Sequence, residues 1–383
     1  MDFALTDEHR SLQTLARDFA EKELRPIARQ IDLSGTFPQE AVKKLGELGF
    51  MGISIPESYG GSELDPVAYV VIMEEISRVC ASTAVTMSVN NSLACEVLKN
   101  FGTEEQKQKF LISMAKGETL GAYCLTEPMS GSDAATMKTS AKKEGDHYVI
   151  NGAKNWITNG PDADTLILFA MTDPTQGNRG ITAFVLDAKS EGVEIGAKEN
   201  KLGIRASSTC TISFTDVKVP ESQRLREEGF GFKVAMATLD NGRIGIAAQA
   251  LGIAQAAYES ALSYAKERKQ FDQSLAEFQG IRWMIADMAS RIEASRLLIY
   301  QAAYKKSLGG RFTKYSAIAK LFASETASFV TNTALQIHGG YGYTKEYDVE
   351  RFVRDARICE IYEGTSEIQR LVIASQSLKE IQG

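Results

Sequence analysis

Histidine is nearly missing from this chain: His9, His147 and His338 are the only three in 383 residues. They form no HExxH-like spacing, so a metal site is not expected. Ser-His-Asp chemistry is equally unsupported, because no Gly-x-Ser-x-Gly elbow occurs. A Walker A sequence is absent. The two Gly-x-Gly pairs, Gly229-Phe-Gly231 and Gly340-Tyr-Gly342, each lack a third glycine and a preceding βαβ pattern, so any nucleotide must be held by another architecture. The five cysteines, Cys80, Cys95, Cys124, Cys210 and Cys359, are odd in number and widely spaced. That excludes a disulfide framework or a zinc pattern and predicts reduced core thiols. No apolar run approaches ~18 residues, and the opening Met1-Asp-Phe-Ala-Leu-Thr-Asp-Glu8 has neither a basic nor an apolar leader region. A soluble intracellular protein without an integral membrane segment, signal or transit peptide is expected. Positive charge is also in deficit, with 43 Lys and Arg against 49 Asp and Glu and a net charge of −6. General affinity for nucleic acid or anionic membrane is thereby disfavoured.

What is present is an ordinary globular composition, 44% hydrophobic and 24% charged, on a chain long enough to enclose a sizeable pocket. The first third reads as helices. Leu12, Leu15, Ala16 and Phe19 share one face, Pro38 suits the first position of a helix, and Thr103-Glu-Glu-Gln106 is a capping-box start. Near Gly121 the texture changes to short β-rich runs, Tyr148-Val-Ile150, Thr165-Leu-Ile-Leu-Phe-Ala170, Ile181-Thr-Ala-Phe-Val-Leu186 and Cys210-Thr-Ile-Ser-Phe214, parted by Gly, Asn and Asp. These predict a compact antiparallel β domain. Helical periodicity returns after Gly229, with Ile244, Ala248, Leu251, Gln255, Tyr258 and Leu262 on one stripe and Ile281, Ile285, Met288 and Ile292 on another. The expected fold is mainly α with an inserted β domain: an α-helical domain over 1–118, a β domain over 119–226 and a helical bundle over 227–383. Clefts where such domains meet are usual ligand sites.

Polar, glycine-punctuated segments mark the ends of several elements. Tyr123-Cys-Leu-Thr-Glu-Pro-Met-Ser-Gly-Ser-Asp133 crowds hydroxyls and backbone N–H groups into a turn that suits a phosphate or a polar ring edge, or simply ends a strand. Asn155-Trp-Ile-Thr-Asn159 sets an indole beside hydroxyl and amide groups on an expected hairpin. Leu239-Asp-Asn-Gly-Arg243 reads as a helix entrance with Asp240 as N-cap and Arg243 solvated. Ser366 and Gln369 fit the first and fourth positions of a capping box, which puts Glu363 just upstream of a helix N-terminus. The dipole there lowers a carboxylate's pKa and burial raises it. On local pattern alone, Glu363 reads as a solvated partner of the dipole.

Taken together and in order, these segments resemble the acyl-CoA dehydrogenase family, from about residue 3 to the end. The resemblance rests on Leu125-Thr-Glu-Pro-Met-Ser-Gly-Ser-Asp-Ala134, Trp156-Ile-Thr-Asn159, Lys201-Leu-Gly-Ile-Arg205 and Arg354-Asp-Ala-Arg-Ile-Cys-Glu-Ile-Tyr-Glu-Gly-Thr-Ser-Glu-Ile-Gln-Arg370. The stretches Met73 to Ser82, Met87 to Leu93 and Leu239 to Gly252 are most similar to its short-chain (butyryl) branch. The resemblance implies an N-terminal α domain, a middle β-barrel or sandwich-like domain and a C-terminal four-helix bundle, assembled as a homotetramer with FAD at a subunit interface. It implies that Glu363 removes the α-proton of an acyl-CoA thioester while the β-hydrogen leaves as hydride to the flavin. It further assigns the backbone N–H of Glu363, with a hydroxyl of FAD, to the thioester carbonyl. By the same correspondence Tyr123, Leu125, Thr126, Ser132, Trp156, Ile157 and Thr158 line the flavin. Arg268, Phe271, Gln279, Gln336, Gly339 and Gly340 reach the FAD of a neighbouring subunit, and Thr365 and Glu367 contact the dinucleotide. Ser132, Asp240 and Arg243 touch the CoA moiety, and Tyr362 and Gly364 border the thioester.

Electrons would pass to an electron-transferring flavoprotein, in the cytoplasm of a bacterium or in the mitochondrial matrix, as a step of fatty-acid β-oxidation. In other branches the base sits at the position of Gly242, where a glycine cannot serve, which leaves Glu363 as the matched base. By the same alignment Ala84 stands where glutaryl-CoA dehydrogenases carry an arginine, which disfavours a dicarboxyl substrate. The turn Arg268 to Leu275 has Asp272 and Ser274 where the family commonly has Gly and Pro, and Asp348 replaces a frequent Pro. An oxygen-using acyl-CoA oxidase, a silent binding member and a partner of a bifurcating flavoprotein are the competing readings.

Overall fold

The computed structural model describes residues 4–380. The N-terminal part consists of α1 (Asp7–Phe19), α2 (Arg25–Ser34), α3 (Gln39–Glu47), α4 (Pro66–Val79), α5 (Ala81–Ser88), α6 (Glu96–Phe101), α7 (Glu104–Gln106) and α8 (Ile112–Ala115). Helix α4 starts where Asp65 accepts the Ala68 N–H and Pro66 needs no partner for its nitrogen. Every residue from Ala68 to Val79 is buried, so this helix is apolar nearly all round. Its few charges are paired outward: Glu74 with Arg296 at 2.7 Å, Glu75 with Arg17 at 2.7 Å and Arg78 with Glu259 at 3.0 Å. The expected capping box exists, with Gln106 Oε1 accepting the Thr103 N–H at 2.9 Å. Two local expectations shift. Pro38 occupies the N-cap of α3 rather than its first turn, and Leu15 is 42% exposed, on the rim of the stripe that buries Ala16 and Phe19.

Eight strands follow: β1 (Gly121–Cys124), β2 (Ser140–Glu144), β3 (His147–Thr158), β4 (Thr165–Met171), β5 (Ile181–Asp187), β6 (Val193–Ile195), β7 (Thr209–Pro220) and β8 (Arg224–Leu225). They form one sheet in the order β6-β7-β3-β2-β4-β5-β8, with β1 against β4. The sheet is not wholly antiparallel as expected. β1 runs parallel to β4, pairing Gly121 with Thr165, and β2 meets β4 in parallel at Ser140 and Met171. No hairpin joins these pairs in sequence, so no tight turn dictates their direction. β4 is buried on both faces. Ile167 and Phe169 enter the main core with the helices, while Leu166, Leu168 and Ala170 enter a second core inside the β domain. The period-2 alternation thereby makes this sheet a wall between two cores.

The C-terminal part contains α9 (Gly231–Glu267), α10 (Gln279–Ser307), α11 (Thr313–His338), α12 (Val349–Arg357) and α13 (Ser366–Glu380). Helices α9, α10 and α11 pack against one another, α13 packs against α11, and α12 packs against α11 and α9. Close approach of α9 to α4 depends on Gly252, where a Cβ would lie 2.4 Å from the Glu74 carbonyl oxygen. Asp240 to Arg243 does not begin a helix. It lies inside α9, and Arg243 is buried rather than solvated. The Asn-Gly signal yields because α9 is held by α4 and α11, and tertiary packing outweighs a local helix cost of about 1 kcal/mol.

Candidate functional site

Glu363 leaves the short helical turn Ile358–Glu360 and enters a two-residue left-handed turn, with φ of 51° at Glu363 and 91° at Gly364. Such a backbone is strained for a glutamate and ordinary for a glycine. Around it the chain is clamped. The Gly364 carbonyl accepts hydrogen bonds from Lys320 Nζ at 2.7 Å and Gln369 Nε2 at 2.8 Å. The cap is shifted by one residue from the expected one: Thr365 Oγ1 accepts the Ile368 N–H at 3.3 Å, so Thr365 caps α13 and Ser366 is its first residue. Gln369 bonds backwards to the Glu363 and Gly364 carbonyls rather than to the cap.

This turn aims the Glu363 carboxylate at the middle of α9. A Cβ at position 242 would lie 2.0 Å from Glu363 Oε2 and 3.0 Å from Leu93, so only glycine leaves the space. Oε2 is enclosed and has no hydrogen-bond partner. The residue is not the solvated dipole partner that its local pattern suggests. Burial pushes its carboxyl up to about 7, against the opposing pull of Lys320 and then Arg243. Tyr69, Tyr123 and Tyr362 surround it; burial and the nearby carboxylate push their phenols up, so they stay neutral neighbours. The Tyr362 hydroxyl donates to Gln249, and Tyr123 donates to the Ala235 carbonyl at 3.4 Å.

Between α9 and α13 opens a cavity of 400 Å³ lined by Asp240, Thr313, Ile368, Leu371 and Arg243, the residue after Gly242. Asp240 holds Arg243 at 2.5 Å and accepts from Thr313 at 2.5 Å, while Arg243 Nε is buried and unpartnered. A buried guanidinium with a free donor in the wall of a cavity suits an anionic or carbonyl-rich ligand arm.

The segments expected to line a flavin come together at the C-terminal end of β3. Asn155 N–H donates to the Thr126 carbonyl at 2.8 Å, which ties the loop after β1 to the end of β3. Trp156 sits at a bulge in the β3–β7 pairing with φ of 60°, and its indole is 57% exposed. An exposed indole locked in this way fits a planar, partly polar ring. The stretch is a strand end, not a hairpin: Thr158 closes β3, and Asn159 turns the chain with φ of 66°. Leu125 and Tyr123 are buried behind the loop, Thr126 and Thr158 are half-buried, and Ser132 is exposed. Ile157 packs into the second core, which leaves only its backbone for a ligand.

A second group forms elsewhere. Arg268, Gly339 and Gly340 line a cavity of 560 Å³ with Tyr341 and His338, and the Arg268 guanidinium stacks over Tyr341 at 5.4 Å. Phe271 is 88% exposed at the tip of a small hairpin, where it and Asp272 have φ of 51° and 62°. Asp272 accepts the left-handed turn for which glycine is the usual choice. Gln279 opens α10, Gln336 lies in the last turn of α11, and Glu367 is exposed in the first turn of α13. Sequence reading missed Lys320 and Gln249, and gave Gln369 a capping role in place of its grip on the Glu363–Gly364 turn. A lysine inside the Ala-rich run Ser316-Ala-Ile-Ala-Lys320-Leu-Phe-Ala323 was the available signal, because such a position faces a core.

Comparison with known proteins follows the same division. The acyl-CoA dehydrogenase N-terminal domain matches residues 6–118, the middle domain 122–217 and the C-terminal domain 229–378. The chain is 53% identical to the short-chain specific acyl-CoA dehydrogenase of Clostridium acetobutylicum over 98% of this chain and 99% of that protein. It is 50% identical to the 3-(aryl)acrylate reductase of Clostridium sporogenes, with the same coverage. Among solved structures, butyryl-CoA dehydrogenase from Megasphaera elsdenii superposes with a TM-score of 0.97 at 48% identity, over 99% of this chain and 100% of that one. A chain from the structure "Electron transferring flavoprotein of Acidaminococcus fermentans: Towards a mechanism of flavin-based electron bifurcation" gives 0.98 at 47%, again over 99% and 100%. With every domain matched in order and identity this high along the whole length, the chain belongs to the acyl-CoA dehydrogenase family.

Proposed function

We propose that this protein is a FAD-dependent dehydrogenase of short straight-chain acyl-CoA thioesters, forming the trans-2-enoyl-CoA, with Glu363 as the base that removes the α-proton. The observation that carries this reading is the enclosed Oε2 of Glu363, unpartnered among the described residues and set against Gly242 of α9, on a carboxyl raised to about 7. An α-C–H next to a thioester is a weak acid, so its base must hold a proton readily near neutral pH. The Glu363 N–H has no protein acceptor among the described residues and can donate to the thioester oxygen as negative charge develops there. Gly364 keeps the approach clear, and Arg243 and Asp240 line the neighbouring cavity for the CoA arm. When bound, FAD supplies the hydride acceptor. Trp156, Thr126 and Thr158 would hold its ring system. Arg268 suits a pyrophosphate by its paired donors, from the neighbouring subunit of a homotetramer.

The proposal includes electron transfer to an electron-transferring flavoprotein, which the Acidaminococcus fermentans neighbour supports, and residence in a bacterial cytoplasm or mitochondrial matrix. The same site can run as an enoyl-thioester reductase, because a base that removes the α-proton also returns it; the acrylate reductase relative supports that direction. Anaerobic bleaching of the flavin with C4, C6, C8 and branched acyl-CoAs tests the proposal. The fastest bleaching is expected with C4, and an optimum at C8 or beyond contradicts it. Bleaching rate against the rate of reoxidation by crotonyl-CoA reports the preferred direction.

A further inference from the structure

Lys320 is fully buried in α11, yet its Nζ is given to a carbonyl, that of Gly364, at 2.7 Å. A buried ammonium without a carboxylate on it is costly unless its charge or its donors are needed there. The carbonyl it grips belongs to the left-handed turn that presents Glu363, and Gln369 grips the same oxygen from α13 at 2.8 Å. We propose that Lys320 is the positioning residue of the Glu363 base, its ammonium both fixing the Glu363–Gly364 turn through the Gly364 carbonyl and serving as the buried countercharge of the carboxylate.

This rests on Glu363 being the base. The other groups facing that carboxylate are Arg243 on α9, Tyr69 on α4, Tyr123 on β1 and Tyr362 beside it. Arg243 is already held by Asp240 at 2.5 Å, and the three phenols are neutral, which leaves Lys320 as the cation without an anion of its own. Burial lowers the Lys320 ammonium to about 8, partly countered by Cys359 and Glu363. Removing this charge raises the carboxyl of Glu363 and reduces the ionised fraction below pH 8.

Three variants of the FAD-loaded protein test this: Lys320→Met removes charge and donor, Lys320→Gln keeps a donor, and Lys320→Arg keeps the charge. The pH profile of kcat/KM is measured for each. The carboxylate infrared band of ¹³C-glutamate protein is measured beside it, with Glu363→Gln used to assign the band. Expected is an upward shift of the midpoint by roughly one pH unit in Lys320→Met and Lys320→Gln, and a midpoint near that of the unaltered protein in Lys320→Arg. Unmoved midpoints in both uncharged variants overturn the proposal, whatever happens to rate or stability. Should Lys320→Met not fold, the Gln and Arg variants decide by the same criterion. Failure of the underlying reading looks different: Glu363→Gln then bleaches at the normal rate.

Discussion

Holding a carboxyl at about 7 inside a protein has an energetic consequence at the scale of one residue. The folded chain binds the Glu363 proton more tightly than the unfolded chain, whose carboxyl keeps its ordinary value of 4.5. The stability this gives is complete below pH 4.5 and is lost as pH rises through 7, where the folded protein carries a penalty of about 3 kcal/mol. Glu363→Gln is therefore expected to raise Tm at pH 8 and to leave it nearly unchanged at pH 4.5, read by thermal unfolding at the two values. With Glu363 as the proposed base, catalysis is expected to run the other way, kcat/KM rising about tenfold per unit up to about pH 7 and then levelling. Gly242→Ala probes the same contact from α9. Its Cβ falls 2.0 Å from Oε2, so the carboxylate must move, at about 1–3 kcal/mol and roughly 100-fold in rate. Stopped-flow bleaching of the folded variant measures this, and a rate within a few-fold of normal contradicts the geometry. Glu363 could be picked out in the sequence, but its burial could not. That depends on Gly242, more than 100 positions away, and on Lys320, neither of which a local window joins to it.

Among the elements, the end of β3 and the loop after β1 act as one unit. Lys154 is buried, with its Nζ 2.7 Å from Glu127 and 3.0 Å from the Leu125 carbonyl, while Glu127 accepts the Thr139 N–H at 2.9 Å. This ion pair pins the loop to which the Asn155 N–H, next to Trp156, is bonded. Lys154→Met leaves a buried carboxylate unpaired, an effect of about 3–5 kcal/mol, and is expected to weaken FAD retention. Gel filtration with absorbance at the flavin band measures it. The strands themselves were legible from alternation and Gly/Asn/Asp breaks. Their directions were not, because β1 and β4 meet across a long intervening chain. Helix interiors were equally legible, but their ends slipped: Pro38 and Thr365 each lie one place from expectation, and the Asn-Gly of α9 mimics an entrance that its packing overrides.

Across the whole molecule, the two groups of expected FAD residues lie in separate places on one chain. Trp156 and Thr126 meet beside the sheet, and Arg268, Gly339 and Gly340 line their own cavity. Their separation on one chain fits the proposal that neighbouring subunits of a homotetramer share each FAD. Arg268→Ala is expected to lower FAD affinity at least tenfold while Glu363 keeps its pH midpoint; flavin release on dilution reads the first and the kcat/KM profile the second. The three-part order of helices, sheet and helices was visible in the sequence because each texture persists for about a hundred residues. The meeting of distant segments at Glu363 was visible only through the family resemblance. The most direct measurement is anaerobic titration of FAD-loaded Glu363→Gln with butyryl-CoA. The account predicts a yellow protein that binds the thioester and bleaches at least 100-fold more slowly than the unaltered chain; bleaching at an undiminished rate would contradict it.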